Sequence, residues 1–205
     1  MVRYTGPKNR IARRFGANIF GRLRNPLLHK ANPPGMHGAS RKKKSDFGSQ
    51  LDEQQRLRAI YGMLPRRQLI RYYRSAERSK TSTPQALMER LECRLDTVVY
   101  RLKFGATIFA AQQLVSHGHI LVNGKKVDRR SFQVRPGMVV SIKEKSHNVP
   151  HIKQALETAR DVPEYLSLDS GSFSGTLTVM PMIDQIPLPI PVNIPLICDF
   201  LAHTS

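Results

Sequence analysis

Apolar residues recur at helical spacing through the part of the chain that follows residue 45. A capping-box pattern at Ser49 and Asp52 predicts the start of a first helix, and Gly62 a plausible end. Pro65 and Thr83 each predict the start of a further helix. Together they indicate a small helical domain whose basic residues face outward, with a core formed by Leu57, Ile60, Tyr61, Leu64, Leu69, Ile70, Tyr73, Ala76, Leu87, Met88, Leu91, Leu95, Val98, Val99 and Leu102.

After Gly105 the pattern changes to a compact mixture of short elements. Thr107 predicts the start of a helix through Val115, and the next apolar run, at 120–122, is typical of a strand. Asn123-Gly124 is a strong hairpin-turn signal, followed by a return strand at 125–128. Helices beside a few short strands are a pattern typical of a small RNA-binding module. Further elements are expected as strands at 132–134, 138–142, 165–168 and 176–179, and as a helix after Pro150.

The first 45 residues follow neither pattern. Glycine and proline are too closely spaced for a long helix, and the apolar residues are too few to form a core by themselves. This segment holds 12 basic and 0 acidic residues. Ordering a chain costs about 1–2 kcal/mol per residue. We therefore predict an arm that becomes ordered against a polyanion; a solvated basic tail is the alternative.

Charge identifies the class of partner. The 205 residues carry 33 Lys and Arg against 15 Asp and Glu, a net charge of +18. Residues 1–45 contribute +12, residues 46–92 +3, residues 93–145 +7 and residues 146–205 −4. Such an excess argues against an enzyme that acts on neutral substrates, and favours a nucleic acid as partner, with an anionic membrane surface second. The acidic and apolar C-terminal part suits contact with protein.

Several other functional classes are disfavoured. The two cysteines, Cys93 and Cys198, are too few for a disulfide scaffold or a four-cysteine zinc site, and we expect buried free thiols. The most apolar stretch, 186–198, is interrupted by four prolines, and the N-terminus lacks the apolar segment of a secretory signal. We therefore expect no membrane insertion, no cofactor, no bound metal and no small-molecule substrate.

Six blocks of the sequence, in order along the chain, resemble one family: the fourth small-subunit ribosomal protein of the bacterial and organellar type. The resemblance covers nearly the whole chain and is strong because the blocks are collinear. They are RYTGPK at 3–8 with RR at 13–14, PPGMHG at 33–38, KSDFG at 44–48 with QL at 50–51, IYG at 60–62, the segment 92–105, and HGHILVNG at 117–124 with RPG at 135–137.

The resemblance implies an α+β fold with a basic extended N-terminal arm, a small mostly helical domain and an inserted small α/β RNA-binding domain of the alpha-L motif type. The expected bounds are 1–45 for the arm and 46–93 for the helical domain, which the C-terminal tail (about 180–205) completes. The RNA-binding domain is expected at 94–155, and its connecting helix and short strands at 156–180.

The resemblance also implies a function and partners. Members are structural constituents of the small ribosomal subunit that bind 16S-type rRNA directly and early in assembly. They lie near the mRNA entrance and contact the fifth small-subunit protein at an interface that affects decoding accuracy. For this chain the same role is expected, in a cytoplasmic ribosome with an organellar one not excluded. The alternatives are a translational regulator that binds its own mRNA and an RNA-modifying enzyme module; no nucleophile–base set or phosphate-binding loop supports the latter.

Phosphate contact requires cations, so the predicted RNA-binding residues are mostly Lys and Arg. Arg94 could instead pair with Asp96, and the two histidines beside Gly118 could serve corner packing and hydrogen bonding. Gly118 and Gly124 are expected to adopt positive φ. The predicted set is Arg3, Lys8, Arg10, Arg13, Arg14, Arg41, Lys42, Lys43, Lys44, Arg94, Arg101, His117, His119, Lys125, Lys126, Arg129, Arg130 and Arg135.

Two departures from the family pattern matter. Many relatives carry a cysteine cluster in the arm that holds zinc or an iron–sulfur centre, whereas two of those positions here are Asn9 and Ala12. Most relatives also carry two arginines on the first helix of the RNA-binding domain, where this chain has Ile108 and Gln112. We therefore expect no metal in the arm, and expect Arg129 and Arg130 to take more of the phosphate contact.

Overall fold

Eight α-helices and five β-strands form the part of the chain that the structure, a computed structural model, describes: residues 4–22, 24–25, 27–40 and 43–204. The chain divides into two compact units: unit 1, of residues 1–84 and 188–205, and unit 2, of residues 85–187. The elements are α1 (Lys8–Phe15), α2 (Asp46–Ile60), α3 (Arg66–Glu77), α4 (Thr83–Glu92), α5 (Leu95–Arg101), α6 (Ile108–Ser116), β1 (Ile120–Val122), β2 (Lys125–Lys126), β3 (Val139–Ile142), α7 (Pro150–Leu156), β4 (Leu166–Asp169), β5 (Ser174–Leu177) and α8 (Ile194–Thr204).

Unit 1 is helical, and its main helix starts earlier than predicted. The capping box at Ser49 is wrong: α2 begins at Asp46, because the Ser45 Oγ accepts a hydrogen bond from the Gly48 N–H at 3.2 Å. The predicted arm also contains a helix, α1, which ends at Gly16 with a φ of 65°. Its Ala12 is fully buried, so part of the arm packs within unit 1.

The apolar C-terminal segment, for which no helix was predicted, is the helix α8 and packs against α2 and α3. The rings of Phe47 and Phe200 lie 5.4 Å apart. At the start of α8 the Asn193 side chain accepts a hydrogen bond from the Leu196 N–H at 3.1 Å. Pro195 is tolerated there because the first turn of a helix needs no N–H donor.

Unit 2 is built on an antiparallel sheet in the order β2-β1-β3-β5-β4. Asn123 and Gly124 join β1 to β2 with φ values of 49° and 76°, the pattern of a two-residue hairpin turn. An apolar core lies among the sheet and its helices and includes Leu95, Val99 and Leu102. The predicted α+β fold is confirmed.

The predicted strand at 132–134 is wrong. This segment joins the sheet nowhere and instead pairs with residues 93–95: the Leu95 N–H donates to the Phe132 carbonyl at 2.9 Å and the Val134 N–H to the Cys93 carbonyl at 2.8 Å. This pairing needs extended backbone at Arg94 and therefore separates α4 from α5, where the sequence pattern runs on without a break.

The bounds of the two compact units differ from the predicted domain bounds: unit 2 begins at residue 85, whereas the RNA-binding domain was predicted to begin at residue 94. The predicted domain bounds stay predictions. The difference arises because α4 is bonded within unit 2. The Gln85 side chain donates to the Pro181 carbonyl at 3.0 Å, and Glu92 is paired with Arg101.

The two cysteines are free and buried, as predicted. Burial raises the pKa of the Cys93 thiol to about 12 and that of Cys198 to about 11. Tyr61, Tyr72 and Tyr73 are buried as well. Within the ranges described, no helix combines the length and apolar character that a membrane span requires.

Candidate nucleic-acid interface

The β1–β2 hairpin and the segment after it present four exposed cations, Lys125, Lys126, Arg129 and Arg135, and we use the name exposed cations of unit 2 for these four alone. Lys143, Lys145 and Lys153 of the same unit are also exposed. Lys126 lies opposite Leu121 and Lys125 opposite Val122, so the hairpin turn fixes both positions. None of the four cations forms an ion pair with another residue that the structure describes. They are available to an anionic ligand.

The corner between α6 and β1 is shaped by Gly118. Its φ of 72°, and that of 76° at Gly124, confirm the two predicted positive values. The Lys126 side chain passes so close that a Cβ at Gly118 would lie 2.9 Å from its Nζ. The positive φ therefore favours glycine here, and a Cβ would in addition displace the flexible end of the exposed Lys126 side chain.

The two predicted histidines have different surroundings. His119 is half-buried, and its Nδ1 shares a 2.8 Å hydrogen bond with the buried Ser146 Oγ. His117 is exposed, with its ring 6.1 Å from that of His119. The hydrogen-bonding alternative therefore describes His119, while His117 faces solvent and stays a predicted RNA contact.

Arg94 lies in a buried polar cluster. Its guanidinium binds the Asp96 carboxylate through two hydrogen bonds, of 3.0 and 2.7 Å, and the two side chains are 4% and 1% exposed. Gln112 continues the cluster: its Nε2 donates to Asp96 at 3.2 Å, and its Oε1 accepts from Arg130 at 3.0 Å. Arg94 therefore has a structural role, in agreement with the alternative that it pairs with Asp96. We no longer propose it as an RNA contact.

Sequence reasoning noted Gln112 only as a missing arginine. Its amide joins Asp96 to Arg130, which is half-buried. The signal available in the sequence was that Gln112 lies at helical spacing from the apolar residues Ile108 and Val115, on the face of α6 that is buried. Buried amides of this kind are retained when both ends of the amide have partners.

Arg101 is the second paired arginine of unit 2 and is partly buried, with 10% of its side chain exposed. It binds Glu92 through hydrogen bonds of 3.0 and 2.8 Å, and the Glu92 side chain is fully buried. The Tyr165 hydroxyl donates to the same carboxylate at 2.9 Å. Burial, together with the charge of Glu92, raises the pKa of Tyr165 far above its ordinary value. Because Arg101 is held in this way, it also leaves the proposed contact set.

The predicted arm residues divide into engaged and open ones. Arg13 donates to the backbone carbonyls of Lys30 and Asn32 at 2.8–3.1 Å, so its side chain joins α1 to a later segment of the arm. Arg14 pairs with Asp52 at 2.6 Å, and Lys44 pairs with the same carboxylate. The open positions are Arg10 and Lys43, which are exposed. Lys8 is half-buried, and Arg3, Arg41 and Lys42 lie outside the described residues.

Asp52 is the carboxylate that organises these cations. Burial alone would raise the pKa of Asp52, but hydrogen bonds and charge from Lys44 and Arg14 outweigh it and hold the pKa below its ordinary value. The carboxylate is therefore ionised at neutral pH and fixes two of the predicted RNA-binding residues to α2.

The positions expected to lack a metal have other contacts. Asn9 accepts a hydrogen bond from Arg22, and Ala12 is fully buried. No group of three or more His, Cys, Asp or Glu side chains that could hold a metal ion occurs in the described ranges.

Two family models match the sequence. The model of the ribosomal protein S4/S9 N-terminal domain matches residues 3–92, and that of the S4 domain matches residues 93–140. The second match contains the hairpin, the exposed cations of unit 2 and the paired arginines Arg94 and Arg101.

Curated relatives match over the full length of both chains. Three of them, each named small ribosomal subunit protein uS4, come from Protochlamydia amoebophila (66% identical), Chlamydia trachomatis serovar L2 (60%) and Chlamydia caviae (58%). The alignments span 206 to 209 residues and cover 100% of this chain and of each relative. The resemblance inferred from the sequence is thereby confirmed, and the chain belongs to the uS4 family of small ribosomal subunit proteins.

Proposed function

We propose that this chain is a structural constituent of the small ribosomal subunit that binds 16S-type rRNA directly. The observation that carries the proposal is the set of exposed cations of unit 2, which have no carboxylate partner among the described residues. Lysine and arginine at such positions bind phosphate oxygens and release counterions from the RNA. The relatives' name, small ribosomal subunit protein uS4, supports the same conclusion.

A role without catalysis fits the buried charges. The two carboxylates buried deepest in unit 2, Glu92 and Asp96, are both held in bidentate ion pairs with arginine. A general acid or base must be able to exchange a proton with a substrate, and these carboxylates have no such access. We therefore propose that the chain has no enzymatic activity of its own.

The test is equilibrium binding of the full-length protein to the 5′ part of small-subunit rRNA across a salt series. We expect affinity to fall steeply as salt rises. Changing Lys125 and Lys126 to Gln should make the slope of log affinity against log salt shallower by about 1 unit for each lysine. Lys153→Gln is the control, because this lysine lies on α7 and is bonded to Asn148 at 3.3 Å. A complex that ignores salt would refute the proposal.

We further propose that binding occurs early in subunit assembly, in a cytoplasmic ribosome. Lys43 and Lys44, with Arg41 and Lys42, would lie near the mRNA entrance. The acidic and apolar residues from 146 onward would contact protein, notably the fifth small-subunit protein, at an interface that affects decoding accuracy. Crosslinking in isolated small subunits tests both contacts. Crosslinks from residue 43 to mRNA and from the C-terminal part to that protein are expected, and their absence would contradict these assignments.

A further inference from the structure

Helix α3 of unit 1 carries a row of arginines that the sequence analysis passed over. Arg67, Arg71, Arg74 and Arg78 follow one another at steps of four, three and four residues. Residues at this spacing lie on one face of a helix, with about 5–6 Å between neighbouring Cβ atoms. Three of them lie within α3, and Arg78 is its C-terminal cap. We call this row the α3 arginine row.

The packing of α3 directs the row to solvent. Leu69, Tyr72, Tyr73 and Ala76 are buried and form the opposite side of the helix. All four arginines of the row are exposed. Because the buried residues fix the rotation of the helix, the guanidinium groups are presented together and cannot turn inward.

No residue that the structure describes neutralises the row. Residues 66–80 contain six Lys and Arg residues but one carboxylate, Glu77. Glu77 interacts instead with Tyr73, whose pKa burial and this carboxylate raise to about 12. None of the four arginines takes part in an ion pair with a described residue.

The row weakens the helix that carries it. Like charges three or four residues apart repel each other, and this repulsion acts along the whole row. The helix dipole also opposes Arg67 in the first turn, which has no acidic residue, whereas it favours Arg74 and Arg78 at the C-terminal end. Local rules are broken in this way chiefly at functional sites, where an external ligand compensates for the cost. An anion outside the chain would relieve the repulsion.

We propose that the α3 arginine row is a second RNA-binding surface, which binds the phosphates of a folded rRNA segment independently of the cations of unit 2. The inference rests on the proposed function. All four residues are arginine, whose planar guanidinium matches phosphate oxygens through paired hydrogen bonds and stays charged at any physiological pH. The contacts are to the backbone and carry no base specificity.

The primary test compares two variants of the full-length protein that lose the same charge. One is the row variant Arg67→Gln/Arg71→Gln/Arg74→Gln. The control is Arg22→Gln/Arg66→Gln/Lys153→Gln, three exposed residues that already have a hydrogen-bond partner in the chain. Binding to the 5′ part of small-subunit rRNA is measured from low to high salt.

In the row variant, the slope of log affinity against log salt is expected to be shallower by about 2–3 units, because each lost phosphate contact reduces the slope by about 0.7–0.9. The control should keep the wild-type slope. If the wild-type protein does not bind, the proposed function fails. If it binds, and the row variant keeps the wild-type slope or changes no more than the control, this inference alone is overturned.

Two further measurements exclude loss of structure and identify the ligand. The variant Arg67→Lys/Arg71→Lys/Arg74→Lys should recover most of the slope and unfold at the wild-type temperature. The Gln row variant should unfold at the wild-type temperature or above it, because it loses the repulsion between like charges. In reconstituted small subunits, a photocrosslinker on Lys80→Cys, labelled selectively because both native cysteines are buried, should react with rRNA. A crosslink mainly to protein would overturn the proposal.

Discussion

Two groups of basic residues in unit 2 were predicted to do the same work, and the structure separates them. The exposed cations have no partner carboxylate among the described residues, whereas Arg94 and Arg101 are paired with the buried carboxylates of Asp96 and Glu92. Both groups come from the same basic stretch of sequence. The difference is that the paired arginines face a carboxylate fixed by helices, and the exposed ones face solvent.

This difference assigns opposite roles to the same residue type. Transferring two charges out of water is costly, and the bidentate geometry compensates for that cost only while both partners are present. An exposed cation costs little to maintain and contributes little to stability, but it remains available to a polyanion. Each arginine paired with a buried carboxylate is therefore sensitive to the loss of one partner, whereas we propose that the exposed cations bind the RNA.

The largest expected effect comes from removing one buried partner. Glu92→Gln should lower the free energy of unfolding by about 3 kcal/mol, because it leaves the partly buried Arg101 charge without its carboxylate. Urea unfolding followed by circular dichroism measures the change. Asp128→Asn, at an exposed position in the same unit, serves as the control and should be nearly neutral. A loss below about 1 kcal/mol for Glu92→Gln would show that the buried pair does not hold the unit.

A smaller effect is expected where an exposed cation packs against the backbone. Gly118→Ala forces an alanine to a φ of 72°, at a cost of about 1–2 kcal/mol, and also displaces Lys126. Gly124→Ala has the same kind of φ but open space around the new Cβ, so it reports the backbone cost alone. Thermal unfolding and RNA binding of the pair separate the two effects. Equal loss of stability, and equal salt dependence of RNA binding, would mean that Lys126 is not positioned by Gly118.

Features set by neighbouring residues could be predicted from the sequence. The Asn123-Gly124 turn, the Thr107 cap of α6 and the positive φ at Gly118 all depend on a few adjacent residues, and each is present. The α+β class was also predicted from the sequence and is present. The family resemblance added the function, which no local rule supplies.

Features that depend on contacts between residues far apart in the chain could not be predicted from the sequence. Glu92 is bonded to Tyr165, 73 positions away, and nothing near either residue announces the contact. Likewise the segment at 132–134 has the composition of a strand, but its backbone pairs with residues 93–95 rather than with the sheet. The sequence offered the pairing of Arg94 with Asp96, two residues away, as an alternative, but it gave no sign that Arg101 pairs with Glu92.

The ion pairs of Asp52 with Arg14 and Lys44 are partly exposed, so we expect their contribution to stability to lie between those of the buried ion pairs and the exposed cations. Because the pKa of Asp52 is lower in the folded protein than in the unfolded chain, its ionised form stabilises the fold above the unfolded value, near pH 4. That contribution is lost as the pH falls through the lower, folded value. Asp52→Asn should therefore cost under about 1 kcal/mol at pH 7, and the difference from wild type should shrink below pH 4. A difference that does not change with pH would contradict the pairing with Arg14 and Lys44.

The smallest effect on stability, and the sharpest contrast with the buried pairs, is expected at Arg129. This residue is exposed and takes part in no ion pair with a described residue, so Arg129→Gln should change the free energy of unfolding by less than about 0.5 kcal/mol. It should nevertheless make the salt dependence of rRNA binding shallower by about 1 unit, because one phosphate contact is lost. Arg94→Gln should do the reverse, lowering stability strongly while the folded fraction keeps the wild-type slope. If the two variants changed the slope equally, burial would not separate the arginines that stabilise this fold from those that bind RNA.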